Sequence, residues 1–360
     1  MPSRLSYLLI STTALAASYA AAQTQIPVFG QCGGLTYSGS TTCVAGSFCQ
    51  WESDFFSQCV PGTAPPPFGG PINFWFPFGD SYTSTSFNAT SVLPNIHNPL
   101  GNPPFPGFTG AGGENYVGYD TVTFNKSVIF TYNYAYGGAT INASLVTPFE
   151  PTVLSLIDQV NEFLTGGVAS KPATTPWTSA DALFSVWIGV NDLAGSYFQP
   201  GDRGAFAETL LDGYFALIQK LVRHSITHAR SSILIPPQYT AGARNFLFLN
   251  VPRVDLTPLI IQEGAAAQAQ LKAVITDFNT RLATRVASFK ASNSGVTTWL
   301  WDSNAVFTTI LSAPTQFGFV DAVSFGNTGD FWGNNFHPSQ AAHQIFAKDI
   351  STLMAGSLWF

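Results

Sequence analysis

The sequence is short of charge. Lys, Arg, Asp and Glu make up 9% of its 360 residues, far below the roughly 25% usual for soluble domains. Basic residues are the scarcest, 14 Lys plus Arg against 20 Asp plus Glu, and the net charge is −6 with no basic cluster. This argues against nucleic acid as a partner. Cysteine is absent beyond Cys59. A clean run of the ~20 apolar residues that a membrane span needs is also missing. What is abundant is apolar and aromatic: 46% hydrophobic, 14% aromatic, 31 Phe, with 32 Gly and 24 Pro. That composition excludes bulk disorder and a coiled coil, and the length suggests about two domains. Low charge beside many Gly, Pro and aromatics predicts a secreted protein kept soluble by polar residues and glycans.

The N-terminus reads as a secretory signal over residues 1–22. Arg4 supplies the positive start, Leu5 to Ala17 is an apolar run broken only by Ser and Thr, and Ala20-Ala21-Ala22 fits the small-residue cleavage rule. A membrane anchor is the competing reading, and the run is short for it. Export gives meaning to three sequons, Asn88-Ala-Thr, Asn125-Lys-Ser and Asn142-Ala-Ser, as N-glycan acceptors.

All four cysteines, Cys32, Cys43, Cys49 and Cys59, fall in one short window. In an oxidising compartment this reads as a disulfide staple for a piece too small to hold itself by core burial. Four cysteines allow three pairings, and spacing alone does not choose. A zinc site is the alternative, but CxxC spacing and a local His are both missing. The stretch GQCGGLTYSGSTTCVAGSFCQWESDFFSQCV resembles the fungal family 1 cellulose-binding module in its cysteine intervals and its GQCGG and SQC flanks. The resemblance implies the pairs Cys32–Cys49 and Cys43–Cys59. It also implies a flat cellulose-binding face of three rings, Phe29, Phe55 and Phe56, with Gln58 beside them. Aromatic faces stack on the apolar faces of pyranose rings, while three Phe lack the hydroxyl or indole handle. That these Phe form a core is the alternative; adjacent Phe55 and Phe56 cannot both point inward on one strand. The module is assigned to 23–60 and a Pro/Gly linker to 61–71, stiffened by polyproline.

Residues 72–360 alternate strand-like and helix-like patterns. Strand candidates are Ile72–Phe78, Leu183–Val190, Ile233–Ile235, Phe246–Val251 and Val296–Trp301. Helical patterns cover Glu150–Leu164, Ala205–His228 and Leu271–Phe289, and Ser339 caps a last helix. Alternation of this kind predicts an α/β domain with a parallel sheet covered on both faces. Ligands of such sheets bind at the carboxyl ends of the strands.

Four blocks stand at such places. Phe78-Gly79-Asp80-Ser81-Tyr82 puts Ser81 at an expected strand-to-helix turn, where a helix N-cap is the alternative role. Gly112-Gly113-Glu114-Asn115-Tyr116 offers a backbone N–H. Ile188-Gly189-Val190-Asn191-Asp192 offers the Asn191 amide, with an ordinary turn as the alternative. Phe336-His337-Pro338 precedes the terminal helix. The other histidines, His97, His224, His228 and His343, carry no motif; His224 and His228 are four apart, but a third metal ligand is not visible near them.

In order and wording the blocks resemble the SGNH subgroup of GDSL hydrolases. TYNYAYGGAT at 131–140 and NVPRVDLTP at 250–258 further resemble fungal carbohydrate esterase family 16, the acetyl esterases. The resemblance implies a three-layer α/β/α, flavodoxin-like fold and a Ser81 nucleophile with His337 as base. It implies an oxyanion held by the Ser81 N–H, the Gly113 N–H and the Asn191 amide, with neither metal nor organic cofactor. One departure is evident. The family's Asp three residues before the His is Asn334 here, in a loop that looks one residue longer than usual. The Asn334 carbonyl oxygen can still accept from the imidazole N–H and fix its tautomer, without the charge that steadies an imidazolium; a substitute carboxylate, Asp330 and after it Asp302, is the alternative.

The sequence thus predicts a secreted, monomeric, cellulose-anchored acetyl esterase acting on acetylated hemicellulose oligosaccharides. Three rivals stand beside it: a lipase or feruloyl esterase, a cellulose-binding protein whose hydrolase domain has decayed, and a glycosidase. The last needs two facing carboxylates, and an acid partner is not identifiable.

Overall fold

The computed structural model describes residues 25–53, 55–62, 70–222 and 242–360. The expected signal at 1–22, most of the expected linker, the Ile233–Ile235 run, His224 and His228 lie outside the described residues. The chain divides into two compact units between Gly69 and Gly70.

The small unit is a three-stranded antiparallel sheet. Its strands are β1 (Gln31–Gly33), β2 (Ser47–Ser53) and β3 (Phe56–Pro61), in the order β1-β3-β2. Disulfides join Cys32 to Cys49 and Cys43 to Cys59. Among its described residues the buried hydrophobic side chains are Cys32 and Cys59 alone, so cross-links replace a core that is too small to form. Phe29, Phe55 and Phe56 are 66%, 61% and 37% exposed, so they do not form a core. Phe29 sits in the left-handed region at φ 65°, and the Gln58 amide donates to its carbonyl at 2.9 Å.

The large unit is built on a parallel sheet. Its strands are β4 (Ile72–Gly79), β5 (Val128–Thr131), β6 (Ala182–Trp187), β7 (Asn245–Leu249) and β8 (Thr297–Trp301), in the order β5-β4-β6-β7-β8. The helices are α1 (Tyr116–Val122), α2 (Leu156–Thr165), α3 (Val190–Ala194), α4 (Arg203–Val222), α5 (Pro258–Glu263), α6 (Ala265–Ser292), α7 (Ser303–Ser312) and α8 (Gln340–Leu353). None among the described residues is long and apolar enough to cross a membrane.

The sequence of β4, INFWFPFG, shows why the sheet is covered twice. Successive side chains point to opposite faces. Trp75 packs on Tyr116 of α1, whereas Phe76 and Phe78 pack on Phe163 of α2. Each side needs a helical layer, and a strand buried on both faces reads as an apolar run rather than an alternation. α1 pairs with α8, and α4 lies against both α2 and α6. The result is the expected three-layer α/β/α arrangement.

Local boundaries differ from the sequence reading. α2 starts at Leu156 rather than Glu150, because Ser155 and Asp158 form a capping box: the Asp158 carboxylate accepts from the Ser155 N–H at 2.9 Å. The expected helix after β4 is also absent. Residues 81–83 form a turn in which Thr83 and Ser84 N–H donate to the Asp80 carbonyl, and the chain then runs irregularly to α1. Ser81 is therefore neither a helix N-cap nor aided by a helix dipole.

Candidate active site

The end of β4 is clamped before Ser81 is reached. Gly79 has φ 156°, and a Cβ there would lie 2.3 Å from the Trp187 carbonyl oxygen, so only glycine fits. The buried Gln159 amide accepts from Gly79 N–H at 2.9 Å and donates to its carbonyl at 2.8 Å. Beyond the turn, Asn115 donates to the carbonyls of Thr83 and Ser84, and Asn133 to that of Thr83. Ser81 is thus held by buried amides rather than by a helix.

His337 Nε2 lies 2.7 Å from Ser81 Oγ, across 256 positions of sequence. Behind it, His337 Nδ1 lies 3.0 Å from Asn334 Oδ1. Which amide atom faces the ring is fixed by the surroundings. Asn334 Nδ2 donates to the Gly110 carbonyl at 2.9 Å, and Oδ1 accepts the backbone N–H of Phe336 and of His337 at 3.0 and 2.8 Å. An oxygen can only accept, so Nδ1 carries the proton and Nε2 is left to accept from the serine hydroxyl. Burial pushes the His337 imidazole down to about 4. At rest the ring is neutral, the form a general base requires. Tyr82 completes the support: its hydroxyl donates to the Phe336 carbonyl at 2.6 Å and its ring packs on His337.

The substitute carboxylates are spent elsewhere. Asp330 is buried and its Oδ2 accepts from the Asn327 N–H and amide. Asp302 accepts from Asn250 and caps α7 through the Ala305 N–H. Neither bonds to His337. Asp80 and Asp192 are fully buried, and burial raises their carboxyls to about 8 and about 7. Asp80 bonds the Tyr82 N–H and Asp192 the Ile141 N–H, so both brace the loops around Ser81 rather than meet a ligand.

Of the expected oxyanion donors, Asn191 uses one amide N–H on the Ala139 carbonyl at 2.9 Å and keeps a second. The N–H groups of Ser81 and Gly113 find no acceptor among the described residues. A Cβ at Gly113 would meet the Gln340 side chain on α8. Gly110, which sequence reasoning missed, is the glycine against the Ser–His pair: a Cβ there would lie 2.7 Å from His337 Cδ2 and 3.0 Å from the Ser81 carbonyl oxygen. Three glycines crowd 110–113, and nothing in the sequence ranks them.

Ser81 and Gly110 line a cleft of about 640 Å³, inside the range of small-molecule sites. Its walls are mixed: Ser84, Ser86, Asn88 and Thr109 beside Phe87, Phe108, Tyr134 and Tyr136. These wall residues, too, were not singled out for binding by the sequence. Among the described residues the one group of potential metal ligands is Cys32, Cys43 and Cys59, whose sulfurs are committed to disulfides.

Comparison with known proteins gives the family of each part of the chain. The GDSL-like Lipase/Acylhydrolase family matches residues 76–350 and the Fungal cellulose binding domain residues 28–56. An acetylesterase of Thermothelomyces thermophilus is 38% identical over 285 residues, covering 78% of this chain and 88% of that one. A 45-residue stretch, 12% of this chain and 10% of the relative, is 53% identical to exoglucanase 3 of Agaricus bisporus. An acetylxylan esterase of Geobacillus stearothermophilus superposes with a TM-score of 0.40 at 15% identity, over 80% of this chain and 96% of that one. The chain belongs to the GDSL-like lipase/acylhydrolase family and is a carboxylic ester hydrolase that carries a fungal cellulose binding domain.

Proposed function

We propose that this chain is a secreted serine esterase, anchored on cellulose, that removes acetyl groups from hemicellulose-derived oligosaccharides. The observation that carries the reading is the 2.7 Å contact of Ser81 Oγ with His337 Nε2 at a cleft lined by hydroxyls and aromatic rings. Ser81 Oγ attacks the ester carbonyl as Nε2 takes its proton. The oxyanion is held by the N–H groups of Ser81 and Gly113 and the free N–H of Asn191. His337 then protonates the leaving sugar hydroxyl. Water, activated by the same nitrogen, releases acetate from the acyl-serine.

An acetyl group fills a small part of 640 Å³, so the remainder belongs to the alcohol side of the ester. Hydroxyls on the walls suit a sugar and leave a long acyl chain poorly matched. That separates the reading from a lipase. The test is acetate release from acetylated xylo-oligosaccharides, compared with rates on p-nitrophenyl esters of increasing chain length. Preference for butyrate or longer esters, with no acetate from the oligosaccharides, would falsify it.

Anchoring raises the local concentration of substrate where cellulose and acetylated polymers lie together. The exposed rings of Phe29, Phe55 and Phe56 carry it in this proposal. Phe55→Ala is expected to weaken retention on microcrystalline cellulose by about tenfold, since stacking of one ring on a flat apolar face contributes about 1–2 kcal/mol. Turnover of a soluble ester stays as it was. Undiminished binding after deletion of residues 23–60 would place the anchor elsewhere.

A further inference from the structure

We infer that Glu162 is a specificity-determining residue of the cleft: it takes hydroxyls of an uncharged sugar and turns away substrates bearing a uronic acid near the acetyl group. This rests on the esterase reading above and deepens it. Glu162 lies on α2 and lines the same cleft as Ser81. Its carboxyl is half-buried and makes no hydrogen bond or ion pair among the described residues. Among the described residues, none that lines the cleft is basic. Burial raises its carboxyl above the ordinary value.

A carboxylate accepts hydrogen bonds and donates none. The ligand that satisfies it must bring donors, and the neighbouring walls must suit the rest of that ligand. A pyranose does both. Its hydroxyls donate to the carboxylate, and its C–H faces lie against aromatic rings such as Phe108, which is 71% exposed. A uronate brings a second negative charge into a half-desolvated space that holds no cation, where like charges repel strongly. Glu162 also touches none of the reacting atoms in this arrangement, so its effect belongs to binding rather than to the chemical step.

The test compares kcat and KM on two acetylated xylo-oligosaccharides, one neutral and one carrying a glucuronic acid branch. The wild-type chain is expected to favour the neutral substrate. Glu162→Gln is expected to lower kcat/KM for the neutral substrate by about tenfold, through KM, as the loss of a hydrogen bond to a charged group implies. The same variant is expected to bring the neutral-to-acidic ratio close to one. Glu162→Asp keeps the charge and should keep the ratio. An unchanged ratio in Glu162→Gln overturns the inference, as does an equal fall in Glu162→Asp, which would show that charge is not the cause. If the wild-type chain cleaves p-nitrophenyl acetate but neither oligosaccharide, the reading of the reaction falls, and the inference with it.

Discussion

Ser81→Ala is expected to abolish ester hydrolysis, with a loss on the order of 10³-fold or more. Removing the nucleophile of a serine protease costs about 10⁶ in turnover, and the loss is smaller here because esters are easier to cleave unaided. The fold should not notice. The clamps on this turn come from Gly79, Gln159, Asn115 and Asn133, and among the described residues the Ser81 hydroxyl bonds only to His337. Unfolding midpoint and cellulose retention are therefore expected to match the wild type. A serine-directed phosphonate should label Ser81 alone, drawn by a hydroxyl whose proton already faces Nε2. Substantial activity in Ser81→Ala, or label on another serine, would move the nucleophile.

Asn334→Ala is expected to lower turnover by up to about 10⁴-fold, the cost of replacing the orienting Asp in a serine protease triad. The Oδ1 of Asn334 is what keeps the proton on Nδ1. The usual penalty for Asn at this position in a serine protease is mostly the wrong tautomer. That penalty does not apply here, because the amide is pinned by Gly110 with its oxygen toward the ring. What this site lacks is charge to steady the imidazolium. Asn334→Asp supplies it, and the sign follows. A carboxylate beside Nδ1 favours the protonated ring, so the folded pKa rises from about 4. The acid limb of kcat/KM, which in the wild type should rise through pH 4 and then level, moves to higher pH in the variant. Turnover above that limb rises. The same variant loses the bond to the Gly110 carbonyl and sets an acceptor against it, a cost of about 1 kcal/mol in stability. Asp330→Ala should leave the limb where it is in whatever fraction folds. If Asp330→Ala removes activity in folded protein while Asn334→Ala is silent, the support for His337 lies in Asp330 after all.

The sequence made some of this legible and hid the rest for physical reasons. The apolar runs of β4, β6 and β7 were visible because strands buried on both faces carry continuous apolar side chains. Ser81 and His337 were visible as wording inside blocks. The absence of a helix after Ser81 was not, because the turn is held by Gln159, Asn115 and Asn133, polar residues far away in sequence. The third member of the site hinged on a loop with an extra residue, and only coordinates could show the Asn334 amide folding back on its own loop. Gly110 was hidden among equivalent glycines. The cleft walls, from Phe87 to Glu162, come from four separate segments without a shared motif.

The unpaired acid of the cleft has a consequence at the other end of the reaction. Hydrolysis of an acetyl ester at neutral pH creates an anion inside a space with one carboxylate and no basic side chain among its lining residues. The newborn acetate finds no counter-ion to hold it and a like charge to push it out. Product should therefore leave readily and return poorly, visible as an inhibition constant for acetate far above the substrate KM. On the anchoring proposed above, the enzyme would work where its own product accumulates, and a site built this way is expected to keep working there.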